Sequence, residues 1–535
     1  MIGILHGYLL EGSGSNIWTR NICEALARAG INAALICQER HPEHYEFIEN
    51  AVFHPLKGAN TEARKETLFP GKIQLHRIDI GKTLPVFVRD KYEGFENAIP
   101  MIELSDAKLE AYVERHVEVL APLIKKPGIN TLLANHSVLM PTVAQRLNKR
   151  LGIPYSVVPH GSAIEYAVKL DGRLHAMAAA ALGQAEHVFY VSDEMKSRLL
   201  QLFASVPGLK AKLSPISVGV DTRLFQVVPE KERTKSLKHL GNLLSKRPSG
   251  KTPSQRGLFH ELVDDSSFAE YTATLKKSAM YSVKGADSDT LQALEKLAGR
   301  PTLLFVGRLI GAKGPQCLLW ALPQLVAAIP QLAVVLVGQG PLREPMECFL
   351  SALRRGQKKL ALNILDWGVP GEKDTYFESS AKYLKNLPSS DQARYFEMGK
   401  QLPEDCPIFT GFLGHQELAA LYPTCDVAVF PSLVPEAGPM VFLEALASGC
   451  FPMGTNQAGI RSKIDHMDNE LAPELVALAR LNPDHLVRDL TTNLPKIFHS
   501  VRGHKDALRR VAVQNFDWMQ IATGLTTKLT TKSKA

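Results

Sequence analysis

The sequence predicts an α/β protein built from two doubly wound, parallel-sheet domains. Two observations carry that reading. Short apolar runs alternate with helix-like segments along both halves of the chain, and 535 residues are too many for one ordinary core. A strand covered by helices on both faces reads as a continuous apolar run, whereas a half-exposed strand alternates. Hydrophobic content of 45% and charged content of 22% suit a soluble globular protein.

In the first half the strand-like runs are IGILH (2–6), AALIC (33–37), TLLAN (131–135), YSVVP (155–159), HVFYV (187–191) and SPISV (214–218). In the second half they are TLLFV (302–306), LAVVLV (332–337), DVAVF (426–430) and CFPMG (450–454). Two segments break the rhythm and read as insertions: 226–299, polar and rich in Lys and Ser, and 343–405, charged and helical in character. The expected domains are therefore 1–225 and 300–514, with 226–299 between them. The tail TTKLTTKSKA reads as frayed.

No run approaches about 18 uninterrupted apolar residues, so no membrane-spanning helix is expected. The N-terminus MIGILHGYLLEGSG lacks a basic leader region and reads as a first strand rather than a signal peptide. Seven scattered cysteines argue for reduced thiols and a cytoplasmic location. The net charge of +8 is concentrated in 231–257, where eight Lys/Arg face Glu232 alone, so the rest is close to neutral. That argues against a nucleic-acid surface. The basic stretch reads as a solvated excursion or as a contact with anionic lipid at the inner membrane face.

The loop EGSGSNIWTR (11–20) joins the first strand to a helix, and Gly12 and Gly14 would let the backbone approach an anionic ligand. As a dinucleotide fingerprint it is incomplete, since Ile17 stands at the third glycine position. Glu39, just past the next strand, lies where a dehydrogenase keeps its ribose-binding acid. In the second half, LLFVGRLIGAKG (303–314) carries Arg308 and Lys313 past the carboxyl end of a strand, where open α/β sheets bind ligands. The turn VGQGPLR (337–343), with Gly338, repeats the strand–glycine–helix pattern.

Other apparent motifs fail. The triplets Gly81-Lys82-Thr83 and Gly250-Lys251-Thr252 lack the upstream glycine of a phosphate-binding loop, having His76 and Ser245 there. His41 and His44 read as a surface pair, and Asp287 and Asp289 as acids in a polar insertion; no metal site is expected. The stretch SLVPEAGPMVFLEALASG (432–449) predicts a helix over 439–448, with Pro439 first and Gly449 as its cap. Glu444 then lies roughly 7.5 Å along the axis from Pro439. Glu436 and Glu444 are too far apart to share a proton. They either grip two ends of one ligand or serve as a near-cap charge and a solvated helix residue.

Taken in order, these pieces resemble the retaining glycosyltransferases of family 4, with the GT-B fold of two Rossmann-like domains facing a central cleft. The resemblance runs through Gly12–Gly14, LLANHSVLMPTVAQRL (132–147), GIPYSVVPHG (152–161), VFYVSDEMKSRL (188–199) and SVGVDTRLF (217–225). It continues through VGRLIGAKG (306–314), LVGQGPLR (336–343), FTGFLGHQELAALYPTCDVAVFPSL (409–433) and the paired glutamates. It implies transfer of a sugar from a nucleotide-diphosphate-sugar to a sugar, lipid-linked or small-molecule acceptor, with no metal cofactor.

Arg308 and Lys313 would bind the diphosphate, Glu436 the donor sugar or adjoining phosphate, and Glu444 the ribose hydroxyls. Phe412, Leu413 and Gly414 would meet the base through their backbone. Gly438 and Met440 are left as amide donors to the sugar, because Pro439 stands where relatives have glycine. His160 would sit beside the donor sugar, His136 would line the site, and a helix around 515–528 would return to the first domain. Rival readings are a nucleotide-sugar epimerase or phosphorylase of the same architecture, an NAD-dependent oxidoreductase, and a non-catalytic scaffold.

Overall fold

The computed structural model describes residues 1–87, 92–125, 128–246, 249–279, 285–370, 375–436 and 438–530. The chain divides into two compact units, Met1–Gly219 with Phe516 onward, and Val220–Asn515. Both are α/β with a parallel sheet at the centre.

In the first unit the strands are β1 (Ile2–Leu5), β2 (Ala33–Ile36), β3 (Ile48–His54), β4 (Thr61–Arg64), β5 (Ile73–Ile78), β6 (Thr83–Val86), β7 (Asn97–Pro100), β8 (Thr131–Asn135), β9 (Tyr155–Val158), β10 (Val188–Tyr190) and β11 (Leu213–Pro215). Nine form one sheet in the order β11-β10-β9-β8-β1-β2-β5-β3-β4, and β6 pairs with β7 separately. β1 lies between β2 and β8 with every residue buried, which is why IGIL is apolar throughout. Among the described residues of this unit only the β3–β4 pairing is antiparallel. The core runs from Leu5 and Ala34 through Val113, Leu132 and Val143 to Leu182.

Sequence reading missed β3, β4, β5, β6 and β7. IENAVFH and IQLHRI alternate in burial, and TEAR is exposed at all four positions. Such strands carry no continuous apolar signal. The helix Trp518–Thr530 belongs to this unit: a side chain at Gly219 would lie 2.5 Å from Trp518, and Lys528 donates to the Pro215 carbonyl at 2.9 Å.

In the second unit β12 (Thr302–Val306), β13 (Ala333–Val337), β14 (Ile408–Gly411), β15 (Val427–Phe430), β16 (Phe451–Thr455) and β17 (Arg480–Leu481) form a six-stranded sheet, ordered β14-β13-β12-β15-β16-β17. All its pairings are parallel. The described residues between β13 and β14 form four helices, and the first, Arg343–Arg354, is buried along nearly its whole length.

The basic segment 231–257 is only partly a solvated excursion: Lys231, Lys235, Lys238 and Lys246 are exposed, whereas Arg233 and Lys251 turn inward. The helix Arg233–Leu244 sends Arg233 to Asp426, 3.0 Å away and fully buried. Lys251 is fully buried and ion-paired to Glu344 at 2.9 Å and to Glu347 at 2.5 Å. Arg343 and Arg256 pair with Asp287, and Arg256 also reaches Asp289. Asp287 and Asp289 are thus members of an internal ion network, a role that a motif search for metal ligands could not reveal. Charges buried this deeply persist because each has a partner; removal of one leaves the other uncompensated.

The helix expected over 439–448 spans Met440–Ala447. Pro439, at ψ 114°, is extended and serves as the N-cap residue instead of opening the helix, and Gly449 adopts φ +69° just beyond its end.

Candidate functional site

Because every strand of the second sheet points the same way, its carboxyl ends gather the loops that follow β12, β13, β14, β15 and β16. Close backbone approach holds them together. A Cβ on Gly338, at φ +134°, would lie 1.8 Å from the Gly307 carbonyl oxygen; one on Gly314, at φ +71°, would lie 2.0 Å from that of Pro431. Glycine is needed at both. The Gly338 amide donates to the Gly411 carbonyl at 2.8 Å, and the Leu433 amide to that of Ala312 at 2.9 Å.

This stitching brings Lys313 and Glu436 into a direct ion pair, although 123 residues separate them. Their side chains are 34% and 14% exposed, so the pair stands at a surface without being fully solvated. The Gly459 amide fixes the Glu436 backbone carbonyl at 2.7 Å. Arg308 is exposed on the adjoining turn and forms no ion pair among the described residues.

Glu444 is 3% exposed on the helix Met440–Ala447. One carboxylate oxygen meets His415 Nδ1 at 3.2 Å, while Oε2 is buried with no hydrogen-bond partner. A buried, charged acceptor left unsatisfied is costly unless a ligand donor completes it. Glu444 is therefore not a solvated helix residue, and His415, which sequence reading overlooked, ties it to the loop after β14. In that loop Leu413 is buried, Gly414 caps the helix His415–Leu421, and the Phe412 amide already donates to the Gly285 carbonyl at 3.1 Å. The Phe412 amide is thereby spent inside the protein, leaving Leu413 and Gly414 as the backbone groups of that trio to face a ligand. Gly438 and Met440 flank the Pro439 cap.

The first unit has its own cluster at the carboxyl ends of β1, β8 and β9. His136 is 2% exposed at φ +71°, and both ring nitrogens are buried without partners. Leu139, three residues on, is at φ +60°. Two non-glycine residues in this region within one short turn mark stored strain of the kind found at functional sites. The His136 ring lies 4.9 Å from His160, 4.9 Å from Phe87, 5.2 Å from Tyr8 and 5.8 Å from His6, centroid to centroid. His160 Nε2 meets Asn135 Oδ1 at 3.2 Å. Burial pushes the His6 imidazole down to about 4 and holds those of His136 and His160 well toward the neutral form.

His6, Tyr8 and Asn135 were not singled out from sequence. Their one available signal was position, immediately at or beyond the carboxyl end of a strand. Gly12, at φ +97°, and Gly14 are exposed at the start of the helix Gly14–Arg28, which Ser13 caps by accepting from the Asn16 amide.

Glu39 does not serve as a free ribose-binding acid. Its two oxygens accept from the Leu10, Arg40 and His41 amides and the Tyr45 hydroxyl, at 2.9–3.2 Å. The surface histidines His41 and His44 stack at 5.2 Å beside Glu43, with donor atoms within 4.8 Å of one another. Both nitrogens of His41 are taken by carboxylates, Glu43 at 3.1 Å and Glu93 at 2.8 Å, which raise its pKa. That arrangement suits an imidazolium rather than a metal ligand.

Residues 393–489 match the family model for glycosyl transferases group 1. No curated protein sequence matches the chain. Among solved structures it is similar to sucrose-phosphate synthase from Thermosynechococcus elongatus, with 17% identity and a TM-score of 0.51 over 98% of this chain and 97% of that one. It is also similar to Anabaena HepE in complex with UDP and glucose, at 13% identity and a TM-score of 0.51 over 99% of each chain. A third likeness is to the structure described as trehalose-6-phosphate from E. coli bound with UDP-2-fluoro glucose, at 11% identity and a TM-score of 0.51 over the full length of both. At these identities the likeness establishes the fold, and that fold is GT-B, with two doubly wound parallel-sheet domains.

Proposed function

We propose that the protein is a retaining glycosyltransferase that moves a sugar from a nucleotide-diphosphate-sugar to an acceptor hydroxyl. The observations that carry this reading are the pairing of Lys313 with Glu436 and, on the helix after the same strand, β15, a buried Glu444 whose Oε2 lacks a partner. The matched family model spans both glutamates, and several structurally similar proteins were solved with UDP or a UDP-sugar.

Each group has a role suited to its chemistry. Arg308 and Lys313 supply positive charge where the diphosphate leaves, which is the largest kind of contribution a preorganised site makes. Glu436, held by Lys313, orients the donor sugar or its adjoining phosphate. Glu444 accepts from the ribose hydroxyls through Oε2, and Leu413 and Gly414 offer backbone groups to the base. The acceptor attacks from the face the diphosphate leaves, so its proton passes to the departing phosphate oxygen and configuration is retained. The two cations perform the charge neutralisation that a metal performs elsewhere, and the proposed reaction uses none. The first unit is assigned to the acceptor, with His136 and His160 as neutral hydrogen-bonding groups.

Thermal-shift titration with UDP-, GDP- and ADP-sugars tests this reading, since a ligand bound only by the folded state raises apparent stability. A shift with one nucleotide class that disappears in Glu444→Gln supports it. No shift with any of them overturns it.

A further inference from the structure

The first unit contains a cavity of about 320 Å³, at the lower end of the range for small-molecule sites. It lies beyond the carboxyl ends of β3 and β5, against the helix Asp106–Lys125. Its walls are apolar, formed by Ile80, Pro85, Leu104 and Tyr112, and Leu56 stands at the rim 56% exposed.

Three cations also line it, Lys82, Lys108 and Arg115, and no lining residue is acidic. Arg115 is fixed by the carbonyl oxygens of Pro55 at 2.7 Å, His54 at 3.1 Å and Asp79 at 3.2 Å. Those partners hold the guanidinium in place without cancelling its charge. Lys108 forms no ion pair among the described residues, and Lys82 meets Glu96 in an exposed pair at 2.7 Å. The neighbouring acid Asp79 turns one oxygen to the Gly81 amide.

The cavity also adjoins the histidine cluster. Pro85, one of its walls, accepts a hydrogen bond from the Tyr8 hydroxyl at 3.1 Å, and the Tyr8 ring packs edge-on to His136.

We propose that this cavity binds an amphipathic anion, an apolar chain or ring bearing a phosphate or carboxylate group, and that this ligand is the acceptor. Its role as acceptor rests on the glycosyltransferase reading; its chemistry rests on the cavity alone. The apolar walls exclude a wholly polar sugar as the best fit, because they would strip its hydroxyls of water without replacing the lost hydrogen bonds. The fixed charge of Arg115 with Lys108 beside it selects an anion over a neutral amphiphile.

Calorimetry with octyl phosphate, n-octanol and vesicles of phosphatidylcholine with or without phosphatidylglycerol tests the proposal. Octyl phosphate is expected to bind at least about tenfold more tightly than octanol, the difference one charge-assisted contact makes. Lys108→Glu, at an exposed position, and Ala111→Trp, which fills the cavity from an exposed helical site, should each weaken it about tenfold or more. Thermal unfolding of both variants without ligand verifies that they fold.

Loss of vesicle binding in the same variants identifies the anion as a lipid headgroup; binding of octyl phosphate alone identifies a soluble amphiphile. Equal affinity for octanol and octyl phosphate, binding unchanged in both folded variants, or no binding in any arm overturns the proposal. A parallel nucleotide-sugar titration of the unaltered protein separates the two readings. If octyl phosphate binds and no nucleotide-sugar does, the cavity stands and the enzyme assignment falls. The reverse result sinks the cavity.

Discussion

The Lys313 ammonium and the Glu436 carboxylate form an ion pair that joins the loop after β12 to the loop after β15. Each is the other's restraint, so both are positioned before any ligand arrives. Lys313→Ala is expected to lower kcat/KM by on the order of 100- to 1,000-fold, as loss of a preorganised electrostatic donor does. Steady-state kinetics with the donor found by thermal shift measures it. Near-normal turnover would remove Lys313 from the reaction.

Glu444 offers a narrower test because only one of its oxygens is engaged, by His415. Glu444→Gln keeps the size and removes the charge that attracts ribose hydroxyls. Calorimetry should show nucleotide affinity weakened by about tenfold or more. Unchanged affinity would make Glu444 a structural partner of His415 and nothing else.

The buried ammonium of Lys251 predicts a stability effect far from chemistry. Lys251→Met removes the ammonium that Glu344 and Glu347 share, and the neighbouring Arg343 is already paired with both Glu347 and Asp287. Urea denaturation should show a loss of about 3–5 kcal/mol, the range for removing one member of a buried pair. A loss below about 1 kcal/mol would place Lys251 in water after all.

Histidines give the first unit a defined acid sensitivity. Burial pushes His6, His76 and His116 down to about 4, against about 6.5 in an unfolded chain. Between those values the unfolded state binds more protons than the folded one. Stability is therefore complete above about 6.5 and falls as pH drops toward about 4, by on the order of 1.4 kcal/mol per pH unit for each fully shifted histidine. Denaturant midpoints of the first unit at pH 7.5, 6 and 5 should decline in that order; a flat profile contradicts the burial of these rings.

Gly314 tests whether loop geometry governs the site. Gly314→Ala places a methyl 2.0 Å from the Pro431 carbonyl oxygen at a left-handed position. The left-handed conformation alone costs about 1–2 kcal/mol, and relief of the clash moves Lys313 next to it. Both the thermal midpoint and nucleotide-sugar affinity should fall together.

What sequence revealed and what it hid divide along physical lines. Ten apolar runs were legible as strands, most of them because a strand buried on both faces needs no tertiary partner to show its character; β11 is only part-buried, and the fully buried β14 was missed because IFTG is too short and mixed to stand out. Loop positions at the carboxyl ends of those strands followed from parallel topology, and that is how Arg308 and Lys313 stood out; His136 and His160 came from the family resemblance. β3, β4 and β5 stayed hidden because one half-buried face or an exposed edge leaves no continuous signal.

The paired glutamates show where local reading stopped. Sequence by itself determined the α/β class, the doubly wound halves and the helix that carries Glu444. Only the tertiary structure decided that Glu436 is held by Lys313, that Glu444 is buried against His415, and that the basic stretch turns Arg233 and Lys251 inward. Periodicity is a property of neighbours along the chain, and it survives in the sequence. A charge taken out of water depends on a partner tens to hundreds of residues away, so its identity as ligand, brace or solvated residue is settled only when the fold brings that partner to it.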